Sequence, residues 1–104
     1  MADDTPLAYN PHRQRTIWDS ALFAEQRNAL ASLGAVLSCD QENALTWVLA
    51  RNPRGGQPTW QPHVWVIRIK RLKPDESEFL VYYSFNHDEV TLEGIITANS
   101  PDLR

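Results

Sequence analysis

The spacing of apolar residues changes regime twice along this chain. Up to residue 13 there is little periodicity: Asp3, Asp4, Pro6, Asn10 and Pro11 interrupt the sequence, which predicts a loose arm over 1–13 with Leu7 and Tyr9 as apolar residues able to dock elsewhere. Gln14 to Trp18 has the composition of a short strand, after which the spacing becomes helical. Asp19 is placed to cap a helix that runs to Leu33, where Gly34 ends it, with Leu22, Phe23, Leu30 and Leu33 on one face. Ser38 and Gln41 have capping-box spacing at the start of a second helix through Ala44, Leu45, Val48 and Leu49, stopped by Asn52-Pro53.

The segment Pro53-Arg54-Gly55-Gly56-Gln57-Pro58 reads as a flexible loop, and beyond it the period becomes two. His63 to Arg71 forms a strand pattern with Trp65, Ile67 and Ile69 on one face and Val66, Arg68 and Lys70 on the other. Pro74-Asp75 supplies a turn. Glu78 to Phe85 then alternates Phe79, Val81, Tyr83 and Phe85 against Leu80, Tyr82 and Ser84. Asn86 to Glu89 turns the chain again, and Val90 to Thr97 closes a meander with Val90, Leu92 and Ile96 towards the core. The order β-α-α-β-β-β predicts an α+β fold: one domain over 1–104, a two-helix hairpin packed on one face of an antiparallel sheet. Arg68, Lys70, Tyr82, Ser84, Thr91 and Glu93 then share the opposite face.

Charge follows the sequence in blocks. Arg51 to Lys73 holds six basic residues and no acid, whereas Asp75 to Glu93 holds six acids and no Lys or Arg. The net charge of −3 argues against non-specific coating of nucleic acid, so any such contact must be local. Within the basic block, Arg68 and Lys70 are the natural phosphate contacts because strand spacing puts both on one surface. Arg51, Arg54, Trp60, His63, Arg71 and Lys73 are candidate flanking contacts to nucleic acid or to a partner protein. The competing reading is an ordinary solvated face on which Glu93 or an acid of the Asp75–Glu78 turn pairs with Arg68 and Lys70. Trp65, in phase with Ile67 and Ile69, belongs to the core, while Trp18 and Trp47 occupy positions compatible with burial. His87 reads as an exposed turn residue.

Other chemistries find no support. Cys39 is the sole cysteine and reads as a small buried or capping residue, and His12 and His63 lack neighbours at metal spacing, so neither a metal nor any other cofactor is expected. No nucleotide-binding glycine motif or nucleophile elbow occurs. Neither a membrane-length apolar run nor a signal peptide is visible, which predicts a cytoplasmic protein without a membrane partner.

The run VWVIRIKRL followed by EFLVYYSFNHDEVTLEGIITA resembles the RelE/ParE superfamily of bacterial type II toxins, best over Leu45 to Ala98. Asn52-Pro53, the basic strand Val64–Arg71, Val81-Tyr82-Tyr83 and Val90-Thr91-Leu92 carry the likeness. The resemblance implies a toxin held inactive by an antitoxin protein. Its RelE-like members cleave mRNA on the ribosome and its ParE-like members act on DNA gyrase. For a metal-independent endoribonuclease it implies Arg68 and Lys70 around the scissile phosphate and Tyr82 at a catalytic polar-face position, with Arg71 continuing the basic strand. The last strand, Glu93-Gly94-Ile95-Ile96-Thr97, and the tail from Ala98 do not carry the Arg and Tyr at the places where many RelE-like nucleases have them, which fits a ParE-like member, or a toxin fold that has lost or exchanged its chemistry, better.

Overall fold

Phe79, Val81 and Tyr83 alternate with Leu80, Tyr82 and Ser84, and the first three are almost wholly shielded from water. They form the inner face of β4 (Phe79–Phe85), the middle strand of a five-stranded sheet. The computed structural model describes residues 14–98; the arm expected over 1–13 and the final residues 99–104 lie outside them. Strand β1 (Thr16–Asp19) leads into helices α1 (Ala21–Ser32) and α2 (Cys39–Arg51), followed by a 3-10 turn at Pro53–Gly55. Strands β2 (Gln57–Pro58), β3 (Trp65–Ile69), β4 and β5 (Glu89–Thr97) come next, and the sheet order is β1-β5-β4-β3-β2.

The chain is therefore α+β with the expected element order, β2 being a two-residue addition. The sheet is mixed instead of antiparallel throughout, because β1 pairs with β5 in parallel. No hairpin joins β1 to β5, so no turn geometry forces the antiparallel sense on that pair. Phe23 of α1 and Leu45 and Leu49 of α2 meet Ile69, Phe79, Val81, Tyr83, Val90, Leu92 and Ile95 in one core. Arg27 links the two helices through Glu42 at 3.1 Å.

Ser20, and not Asp19, caps α1. Asp19 is still paired with Leu92 in the sheet, so Ser20 is the first residue free to adopt a cap conformation, and its Oγ accepts from the Phe23 amide at 3.0 Å. Asp19 instead reaches Arg27 at 3.6 Å. Gly34 ends the helix as expected, with φ of 92°. The four-residue apolar face of α1 is narrower than its sequence suggests: Phe23 is buried and Leu30 packs at the core margin, but Leu22 and Leu33 are exposed.

The reason lies in β5. Its first half pairs with β1, and its second half is bordered by α1, which covers the strand edge in place of a sixth strand. The Ser20 amide donates to the Leu92 carbonyl at 3.0 Å, and the Gln26 Oε1 accepts from the Ile95 amide at 2.9 Å. At this hand-over β5 bulges. Tyr83 stands opposite Leu92 but Tyr82 opposite Gly94, leaving Glu93 as the extra residue. The bulge shifts the alternation by one, so Ile95 is buried where Ile96 was expected.

Capping in α2 follows the sequence. The Gln41 amide donates to Ser38 Oγ and the Ser38 amide to Gln41 Oε1, both at 3.1 Å. Gln41 is itself fully buried, and its Nε2 donates to the carbonyls of Ser77 at 2.7 Å and Lys70 at 3.3 Å, which ties α2 to the β3–β4 connection. Cys39, the first residue of α2 after this cap, is exposed instead of buried. Trp18 and Trp47 are likewise exposed, at 53% and 60%; Trp18 lies on the outer sheet face and Trp47 on the outer side of α2. Trp65 is half-buried against the core and meets Phe85 edge-on at 5.6 Å.

The glycine-rich loop is tied down rather than loose. The buried Tyr83 hydroxyl donates to the Pro53 carbonyl at 2.6 Å and accepts from the Gly56 amide at 3.2 Å. A Cβ at Gly56 would collide with the Val66 carbonyl oxygen and sit 2.6 Å from Tyr83 Oη. Tyr83→Phe leaves the Pro53 and Gly56 groups without this partner and should lower stability by about 1–3 kcal/mol in a urea titration. Leu49→Ala, which opens the core, should cost roughly 2–5 kcal/mol. Burial pushes the Tyr83 phenol above its ordinary value, partly opposed by the Gly56 amide. Its stabilising effect is complete below the unfolded tyrosine value and lost as pH rises through the folded one, so an alkaline fall in stability should be seen that Tyr83→Phe lacks.

Candidate functional site

The outer sheet face is built by the residues that alternate with the core set. Arg68 stands opposite Leu80 and Tyr82 opposite Val66, so Arg68 and Tyr82 are diagonal neighbours on adjacent strands. The Arg68 guanidinium donates to Glu78 Oε1 at 2.9 Å, in a pair with both side chains partly in solvent. One of the two acidic sources expected for such pairing thus supplies it; Glu93 does not. Lys70 falls just beyond β3, exposed, and neither its ammonium nor the Arg71 guanidinium has a partner among the described residues. The half-buried Tyr82 phenol is also without a hydrogen-bond partner there.

The basic block does not form a single patch. Arg51 stacks over Trp47 at 4.3 Å and donates to its carbonyl at 3.2 Å, which fixes it to the outer side of α2. Arg54 lies over Phe85, 5.6 Å from the ring centre, at the end of β4 remote from Phe79. Trp60 and His63 occupy the β2–β3 hairpin loop, closed by the Thr59 amide and hydroxyl on the Val64 carbonyl at 3.0 and 2.7 Å. His63 takes φ of 69° there, so the strand starts at Trp65 and not at His63. Trp60 is 90% exposed at this tip. Arg71 and Lys73 sit on the β3–β4 connection, at the other end of a strand roughly 17 Å long.

That connection is an ordered turn. Glu76 Oε1 accepts from the amides of Leu72 at 2.6 Å and Lys73 at 3.0 Å, and the Glu76 amide donates back to the Lys73 carbonyl at 3.0 Å. The Leu72 amide chiefly holds the Glu76 carboxyl below the usual glutamate value, with smaller help from the Ser38 hydroxyl, the Lys73 amide and the Lys73 charge. Burial opposes this and is second in size only to the Leu72 amide.

Two concave features take their place and lining from the fold. Between α2 and β3 lies an apolar groove of about 140 Å³ lined by Ala44, Leu45, Val48, Ile67 and Leu72. It follows an open strand edge. Gln57 pairs with Val66, and the Thr59 amide bonds the Val64 carbonyl; backbone groups of a strand point alternately to its two sides, so the Arg68 amide and carbonyl also point away from β4. Strand β2 reaches no further than Val66. The second feature is a cleft of about 370 Å³ on the outer face, where Leu22, Gln26, Gln61 and Val64 surround Tyr82, Glu93 and Gly94. An isolated glycine within a strand pattern, Gly94, was the available signal for the bulge that forms it.

No family model and no curated protein matches the chain. Among the described residues, no group of three or more His, Cys, Asp and Glu is arranged to hold a metal ion, and no helix is long and apolar enough to cross a membrane. The outer face offers a guanidinium and, among the described residues, an unpaired ammonium at the basic end, with a phenol and a carboxylate lining the cleft.

Glu78→Gln should cost less than about 1 kcal/mol in stability, because the pair with Arg68 is solvent-exposed. Lowering pH through the depressed Glu76 value should shift the Leu72 and Lys73 amide resonances as their acceptor is protonated, and Glu76→Gln should remove that titration. The stabilisation is present above the unfolded glutamate value and lost as pH falls through the folded one.

Proposed function

We propose that the chain is the toxin-like component of a type II toxin-antitoxin pair of RelE/ParE type, acting in the cytoplasm on translation through mRNA cleavage, or on DNA gyrase. The observation that carries this reading is the β-α-α-β-β-β order joined to a basic β3 whose Arg68 shares the uncovered sheet face with Tyr82. Nuclease action would proceed without metal. The 2′-hydroxyl would lose its proton to water and attack phosphorus, forming a 2′,3′-cyclic phosphate as the P–O5′ bond breaks, with Arg68 and Lys70 balancing the charge gathering on the phosphoryl oxygens and the Tyr82 phenol giving a proton to the leaving 5′-oxygen. Arg71 and Lys73 extend the phosphate track, while Arg51, Arg54, Trp60 and His63 serve as outlying contacts. An antitoxin segment would lie in the α2–β3 groove, where the open edge at Arg68 offers backbone bonds and Ala44, Leu45 and Val48 offer apolar surface.

A second reading is favoured by the Arg68–Glu78 ion pair, which occupies the leading phosphate contact. On it the chain is a non-enzymatic protein-interaction or RNA-binding domain of the same fold.

Induced expression without an antitoxin should arrest growth, and normal growth with folded protein present would remove the toxin reading for that host. For the nuclease branch, primer extension should reveal cut mRNA, and Arg68→Ala or Tyr82→Phe should slow cutting by roughly 10²-fold or more. Growth arrest with intact mRNA and inhibited supercoiling selects gyrase. A binding domain without cleavage predicts RNA affinity that falls steeply with salt while the RNA stays whole.

A further inference from the structure

Glu93 is the residue displaced by the β5 bulge, and none of the roles above uses its side chain. Its Oε2 accepts from Ser84 Oγ at 2.7 Å, and among the described residues it has no ion pair and no other side-chain bond. Oε1 is left over. A half-buried carboxylate with one neutral donor is under-compensated, since an ionised group removed from water is stabilised chiefly by an opposite charge. The cleft around it is otherwise fitted for a flat, apolar-stemmed cation. Tyr82 stands opposite Gly94, so no β5 side chain covers the phenol ring from that position. Space at Gly94 is itself constrained, because a Cβ there would come within 2.8 Å of Gln26 Oε1. Leu22 and Val64 supply aliphatic walls. Trp18, whose neighbour across the β1–β5 pair is Thr91, lies on the same face.

We propose that this cleft binds the guanidinium of an arginine side chain presented by a partner protein. The planar group can stack on Tyr82 while its fork donates to the free oxygen of Glu93, and its methylene stem can lie along Leu22 and Val64. A lysine ammonium makes the ion pair but not the planar stack. A nucleobase is the weaker match: the charged group in the cleft is a carboxylate, and Lys70 and Arg71, unpaired among the described residues, lie beyond the far end of β3. The cleft shares Tyr82 with the proposed phosphate face but is centred on Glu93, and the inference goes beyond the toxin reading because arginine binding is measured without reference to toxicity.

The test is a titration of the full chain, followed by amide resonances, with N-acetyl-arginine-N-methylamide, its lysine and norleucine analogues, and guanosine monophosphate. The arginine probe should give saturating shifts at Tyr82, Ser84, Glu93 and Gly94, with weaker shifts from lysine and none from norleucine. Glu93→Gln should weaken arginine binding about tenfold, the loss of one charge-assisted bond. Tyr82→Leu should weaken it several-fold, which gives a second reading should the glutamine variant fail to fold. Absence of saturation, equal shifts from norleucine, or binding unaffected by both substitutions would overturn the proposal. Saturation by the nucleotide in place of arginine would reassign the cleft to a base. Growth arrest is read separately, so failure here leaves the toxin test intact.

Discussion

Ser20 joins the parallel strand pair to the helix that replaces it. Its amide bonds the Leu92 carbonyl, its hydroxyl accepts from the Phe23 amide to cap α1, and the same hydroxyl lies 3.4 Å from the Glu93 carbonyl. A strand edge left unpaired along the second half of β5 would be open to other chains, and covering it with a helix closes it without a further strand. The cost is local irregularity. A helix cannot follow the pleat of β5, so the ladder gives up one residue at Glu93, and Gln26 supplies the acceptor for the Ile95 amide that a neighbouring strand would have supplied. The inner pattern of β5, the direction of Glu93 and the outer-face cleft all follow from this one junction.

Two buried polar side chains hold the remaining connections. Tyr83 contributes its ring to the core and its hydroxyl to the Pro53–Gly56 turn, so the loop after α2 is fixed to the middle of the sheet. Gln41 does the same at the other end of α2, completing the capping box and bonding the carbonyls of Lys70 and Ser77. Each side chain satisfies several backbone partners that are wholly or partly shielded, and removing it would strand them, an asymmetry that makes such residues more sensitive than their net contribution suggests. Through these two anchors α2 positions both ends of β3, the strand that carries Arg68.

The helices, their stops and the three long strands were legible because each has a local cause: the Ser38-Gln41 box, Asn52-Pro53, and the alternation around Val81 and Tyr83. What was not legible depended on distant partners. Asp19 reads as a cap until its pairing with Leu92 is known, and Ile96 reads as core until the bulge is placed. Trp18 and Trp47 look like burial candidates by type, yet the sheet and α2 turn them outward, leaving more exposed aromatic surface than an isolated fold requires. The basic residues were all identifiable as such, but not that Arg51 and Arg54 would be held by Trp47 and Phe85 while Arg68 faces the other way.

The Arg68–Glu78 pair bears on both readings of the outer face, and its energy decides how. An exposed pair of this kind is worth no more than about 1 kcal/mol, whereas hydrogen bonds to a charged group contribute about 1.5–3 kcal/mol each. A phosphate at this exposed position meets the same screening, so on the phosphate reading it displaces Glu78 only by engaging two guanidinium donors against the one that Glu78 takes. Glu78 immediately precedes β4, and its carboxylate meets the Arg68 guanidinium through one 2.9 Å bond. The acid is then compatible with phosphate binding: it sets the orientation of Arg68 and raises the threshold that an anion must meet. A block of acids following a block of bases in the sequence becomes, after folding, a basic residue restrained by Glu78 at one end of the face and, at the other, a carboxylate without a cationic partner among the described residues.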